Sequence, residues 1–148
     1  MSLDKISDLF SEINFTINVF LLSEVSAEGK LKRKFRKKVL NVTANSVSTT
    51  KHGADGEFLD FENLSEEELN QVGYNDSKIT FHSKIKKTYE AKNGEFFTIK
   101  ELINNICKFE KEDRLEGEGW MGGIDCHHIF FEGFHLKKNG CFEIAWGS

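Results

Sequence analysis

The sequence predicts an α+β fold: a mostly antiparallel sheet of five or six strands packed by two or three helices, ending in a β-hairpin, within a single domain spanning residues 1–148. Three observations predict it. Apolar and polar residues alternate with period two around residues 15–25, 31–43 and 79–91. Two capping boxes, Ser65 with Glu68 and Thr98 with Glu101, mark helix starts between those runs. Asn93-Gly94 and Asn139-Gly140 supply turn chemistry. A chain of 148 residues with 39% hydrophobic content can bury one core and is short for two.

In chain order, Leu3, Ile6, Leu9, Phe10 and Ile13 recur at helical spacing and predict a first helix with Ser2 or Asp4 as N-cap. Phe15, Ile17, Val19, Leu21 and Val25 then alternate with polar residues, and Ala27 to Lys30 supplies a turn. The returning strand, Leu31 to Thr43, places Lys32, Lys34, Arg36 and Lys38 on one face and Leu31, Phe35 and Val39 on the other. Residues 44–57, rich in Ser and Thr with no sustained period, read as a mobile loop.

Leu64 and Leu69 staple the short helix begun by Ser65. Ile79, Phe81, Ile85, Tyr89 and Ala91 predict a half-exposed strand, and Glu95 to Phe97 a brief return alongside it. Ile99, Leu102, Ile103 and Ile106, with Phe109 near them, line one face of the best-marked helix, which should lie across the sheet. A charged run from Glu110 to Glu118 and a glycine-rich stretch, Gly117 to Gly123, precede the final hairpin.

The charge of -4 and pI near 5.8 exclude bulk attraction to nucleic acid or anionic membrane. No apolar run approaches the roughly 18–20 residues of a membrane span, and acids occupy the start where a signal peptide carries bases, so a cytoplasmic location is expected. Cys107, Cys126 and Cys141 lack framework spacing and read as free thiols in a reducing compartment. The four Asn-x-Ser/Thr sequons, at Asn14, Asn41, Asn63 and Asn75, then read as products of composition. Proline is absent, so Gly, Asn and Asp must make the turns.

Residues Trp120 to Ser148 hold both tryptophans, three of five histidines and two of three cysteines. A two-residue turn at Asn139-Gly140 sets Cys141 against Lys138, Ile144 against His135 and Trp146 against Gly133. Apolar residues then fall on both faces of the hairpin, which places it inside the sheet with layers on each side. Cys126 and His128 are the candidate metal ligands, being about 7 Å apart on a strand, while His127 and His135 would stand roughly 26 Å apart. Two ligands fall short of the three or four a zinc site normally takes, so Cys107, His52 or His82 would have to contribute. A helical alternative would gather His128, Glu132 and His135 on one face, but aromatic and β-branched content favours strand.

Cys126 near His128 has the makings of a thiol nucleophile and base, with Asp125 or Glu132 as the acid, against the alternative of an inert buried thiol. The stretch Gly117 to Gly123 lacks the Lys-Ser/Thr of a phosphate cradle and reads as a turn presenting Trp120, a candidate partner anchor or a packed tryptophan. Lys32, Lys34, Arg36 and Lys38 would join Lys84 and Lys86 in one basic stripe if their strands share a sheet; few aromatics accompany them, which argues against single-stranded nucleic acid.

These features lean away from an enzyme and toward a small cytosolic protein-interaction module of bacterial type, such as an inhibitor, immunity-type protein or adaptor. Segregated charge would meet a protein partner, possibly acidic, with no cofactor and no membrane. The alternative is an enzyme or ligand-binding protein with a Cys/His/acid pocket near residues 118–135, metal-dependent or not.

Overall fold

In the computed structural model, residues 3–23, 38–52, 58–116 and 125–148 are described. The expected first helix is split in two. Leu3–Lys5 makes a single 3-10 turn, and α1 (Asp8–Ser11) starts afresh at Ser7, whose hydroxyl accepts the Phe10 N–H at 3.1 Å. The break has a local cause: Ile6 bridges to Tyr74 and the Ser7 N–H donates to the Gly73 carbonyl at 2.9 Å, so the backbone there serves a strand partner instead of a helical turn.

Strand β1 (Ile13–Ser23) pairs antiparallel with β2 (Lys38–His52), which pairs in turn with β3 (Phe58–Asn63). Residues 44–52 are therefore strand and not the expected loop, while 53–57 lie outside the described residues. Periodicity hid the strand because a β-bulge changes its phase. Leu40, Val42 and Ala44 turn to the core before Ser46, which sits at φ 54°, and Val47 does so after it.

Helix α2 (Glu66–Leu69) has the full expected capping box: Ser65 accepts the Glu68 N–H at 3.2 Å and Glu68 accepts the Ser65 N–H at 3.1 Å. The alternating run after it divides into β5 (Lys78–His82) and β6 (Lys86–Glu90), because the Asp113 carboxylate accepts the Lys84 and Ile85 N–H groups at 2.7 and 2.9 Å and holds a turn between them. Phe97 pairs with Tyr74, so β7 (Phe97–Thr98) joins β4 (Val72–Tyr74) in a small second sheet.

Helix α3 (Ile99–Glu116) is capped by Thr98, which accepts the Glu101 N–H at 3.1 Å. The Glu101 carboxylate turns away to accept the Lys92 N–H at 3.2 Å, tying the Asn93-Gly94 turn to the helix. The charged run does not end the helix: Glu110, Asp113 and Arg114 all face inward and are buried.

β8 (Phe130–Leu136) and β9 (Phe142–Gly147) form the C-terminal hairpin. Its loop has three residues, Lys138 to Gly140. Lys137 accepts the Gly140 N–H at 3.0 Å, Lys137 pairs with Cys141, and Gly140 takes φ 82°. The extra residue moves the register by one, so His135 opposes Glu143 and Phe134 opposes Ile144. A second bulge at Glu132-Gly133, where Gly133 has φ 107°, then sets Trp146 against Phe131 instead of Gly133.

Strand order in the large sheet is β3-β2-β1-β8-β9-β5-β6, antiparallel except for β5 beside β9. The fold is α+β and mostly antiparallel, as the sequence predicts, with seven strands in the main sheet among the described residues. The hairpin lies inside it. The bulge turns both Phe131 and Phe134 toward one core, where Phe15 stacks on Phe131 with centroids 4.6 Å apart and Phe10 on Phe134 at 5.5 Å. The layer expected on the other face is missing among the described residues: Phe130 there is 48% exposed and Phe20 55%.

Candidate functional site

The turn before β8 gathers most of the predicted site chemistry, and α3 positions it. The Arg114 guanidinium donates to the carbonyls of Asp125 and His128 at 2.9 and 2.6 Å, and its Nε donates to Glu110 at 2.9 Å. Its carbon centre lies 5.3 Å from the Trp146 ring centroid. Arg114 and Glu110 are nearly inaccessible, their side chains 6% and 5% exposed. Arg114 thus latches the helix to the main chain of the turn.

Within that turn Asp125 accepts the backbone N–H groups of His127 and His128 at 2.9 and 3.2 Å through one oxygen, and faces His128 Nδ1 at 2.7 Å through the other. Partial burial pushes the Asp125 carboxyl up, but these backbone donors and the His128 ring outweigh it and hold the group down at about 2. The contact orients the imidazole, and Cys126 is exposed two residues away. Glu132 does not share this site. It lines a separate cleft of about 530 Å³ with Ser11, Glu12 and Asn14, and its carboxylate folds over Gly147, in the space a side chain there would fill. His135 lies on strand β8, so the helical grouping of His128, Glu132 and His135 does not form. Among the described residues no three His, Cys, Asp or Glu side chains gather as around a metal ion.

The other two thiols are held differently. Cys141 is buried. Burial pushes Cys107 up to about 11, with the Glu110 charge adding to it.

Trp120, Lys32, Lys34 and Arg36 lie outside the described residues, and Lys38 opens β2. Lys84, just before β6, and Lys86, at its start, are exposed, and β6 lies in the same sheet as β2 with four strands between them. A different basic surface exists. Lys100, Lys108 and Lys111 share the solvent face of α3 with Asn104, and three adjoining grooves along that face also take in Lys92 and Lys87. Flanking acids are engaged: Glu112 pairs with Lys87 at 3.3 Å and Glu101 holds the Lys92 N–H. Among the described residues no ion pair engages Lys92, Lys100, Lys108 or Lys111. Its signal in the sequence is the recurrence of lysine at positions 100, 108 and 111, on the face of the amphipathic helix opposite its apolar stripe.

Among the described residues no helix is long and apolar enough to cross a membrane. No family model, curated protein or solved structure matches this chain.

Proposed function

We propose that the protein is a small interaction module, acting in the cytoplasm as an inhibitor, immunity-type protein or adaptor, and that it docks an acidic protein partner on the solvent face of α3. The supporting observation is the run of lysines at 92, 100, 108 and 111 beside continuous grooves, without ion pairs among the described residues, on a chain of net charge -4. Such a local reversal of sign steers an acidic partner to one face and repels the rest of the molecule from it. A polyglutamate peptide titrated by calorimetry tests the reading. Binding should weaken as salt rises and fall by about a hundredfold in the Lys100→Glu, Lys108→Glu, Lys111→Glu triple variant. Undiminished binding by the triple variant, or stronger binding to duplex DNA than to the peptide, would refute it.

A second reading rests on the 2.7 Å contact between Asp125 and His128 Nδ1. The carboxylate would fix the ring so that Nε2 acts as a general base, with Cys126 as the nucleophile of an enzyme. His128→Gln should then slow iodoacetamide alkylation of Cys126 at neutral pH by about tenfold or more. An unchanged rate removes this reading.

A further inference from the structure

On the face of the large sheet opposite the core, β1 and β2 build an uncharged surface. Asn14 stands opposite Ser48 and Thr16 opposite Asn45, across the bulge. The next rows pair Asn18 with Thr43 and Phe20 with Asn41. Rows lie about 7 Å apart, and seven of the eight side chains carry a neutral hydrogen-bonding group. In a chain with 30% charged residues this is a marked local bias. It also runs against strand preference, since asparagine is depleted in strands and four occupy these two.

The face is shaped as well as neutral. Where the bulge opens β2 and Ser46 takes its left-handed conformation at φ 54°, a cleft of about 290 Å³ forms. Its lining is largely apolar, from Phe15, Phe131 and the exposed Phe130, which pairs with Thr16, and its polar groups come from Asn14, Thr16, Ser46, Ser48 and Asn63, none charged. Backbone strain and an exposed aromatic ring therefore coincide at one cleft. The Glu132 carboxylate, over Gly147, bounds the far side of Phe130.

We propose that this cleft and the ladder beside it bind a neutral oligosaccharide. Amides and hydroxyls both donate and accept, so they match sugar hydroxyls without stranding a charge, and the Phe130 ring offers a flat apolar surface to the C–H face of a pyranose. Phosphates would find no cation among the described residues that line the cleft. Protein hot spots concentrate Trp, Tyr and Arg and under-use Ser and Thr, which makes a protein the poorer occupant.

Calorimetric titration with cellohexaose, maltohexaose and hexa-N-acetylchitohexaose tests the assignment, with circular dichroism melts confirming that each variant folds. At least one sugar should bind with little dependence on salt. Phe130→Ala should weaken that binding by about tenfold, and Thr16→Lys, which sets a charge in the centre of the face, by at least as much. The α3 triple variant should bind as the wild type does, which separates this site from the lysine face. Failure of all three sugars, or binding that survives both Phe130→Ala and Thr16→Lys, overturns the proposal. So does a wild-type dimer that Phe130→Ala converts to monomer in sedimentation equilibrium, since the face would then be a self-interface.

Discussion

Glu110 and Arg114 form an ion pair one turn apart on the inward face of α3, Oε1 to Nε at 2.9 Å, and through it the helix holds the chain segment that precedes β8. The two remaining guanidinium nitrogens are spent on the carbonyls of Asp125 and His128, so all three bonds depend on one planar fork. Replacing Arg114 by Lys keeps the charge but cannot serve three acceptors in that geometry. Arg114→Lys should cost about 2–3 kcal/mol and Arg114→Met about 3–5 kcal/mol, the latter because the buried Glu110 and two part-buried carbonyls lose their partner. Urea unfolding measures both. A Lys variant as stable as the wild type would show that the fork geometry is unimportant.

The same pair gives stability a pH dependence of definite sign. Burial pushes the Glu110 carboxyl up and Arg114 only partly offsets it, leaving the group at about 7 against an ordinary 4.5. A folded-state value above the unfolded one means that the folded chain holds the proton more tightly. The contribution is therefore complete below about pH 4.5 and is lost as pH rises through about 7. Between pH 5 and pH 8 Glu110 should remove on the order of 2–3 kcal/mol, and Glu110→Gln should flatten that part of the profile. Parallel profiles for wild type and variant would contradict it.

Asp113, one residue before Arg114, makes a separate prediction. Its Oδ1 accepts the Lys84 and Ile85 N–H groups, the contacts that bend one alternating run into β5 and β6. An amide oxygen can accept both bonds, so Asp113→Asn should be mild, whereas Asp113→Ala should cost about 2 kcal/mol by leaving two donors without partners. Hydrogen exchange at Lys84 and Ile85 reports the loss directly. Unchanged protection there in the Ala variant would refute the assignment.

How far the sequence could be read follows from what its signals encode. Capping chemistry is local, and Ser65 with Glu68 does what its spacing says. Apolar periodicity located β1, α3 and the final hairpin. It failed where a bulge shifts the phase, at Ser46 in β2 and at Glu132-Gly133 in β8, because one added residue sends every later side chain to the other face. The charged end of α3 misled for another reason: Glu110, Asp113 and Arg114 are buried with partners distant in sequence, which composition cannot reveal. Two of the sequons carry strand information. Asn14-Phe15-Thr16 and Asn41-Val42-Thr43 are what a strand produces when Asn and Thr alternate on its outer face.

The two hairpin glycines should respond differently to substitution. Gly140, at φ 82°, sits near the left-handed region that asparagine tolerates, so Gly140→Asn should cost well under about 1 kcal/mol and Gly140→Ala about 1 kcal/mol. Gly133, at φ 107°, lies beyond that region, and Gly133→Asn should cost about 1–3 kcal/mol. No atom stands within 4 Å of a Cβ built at either site, so the difference is one of backbone alone. Equal melting temperatures for Gly140→Asn and Gly133→Asn would refute it.

The three thiols should separate by reactivity in the native protein. Cys126 is exposed on the Asp125–His128 turn, Cys141 is buried, and burial with the Glu110 charge holds Cys107 up at about 11. The thiolate is the reactive form, so at neutral pH Cys107 offers about one part in ten thousand of it and poor access besides. Ellman's reagent should therefore modify Cys126 rapidly, and Cys107 and Cys141 only as the chain opens. Cys126→Ala should abolish the fast phase while leaving the two slow ones, and denaturant should expose all of them together. Fast modification persisting in that variant would mean that α3 does not shield Cys107 as its packing requires.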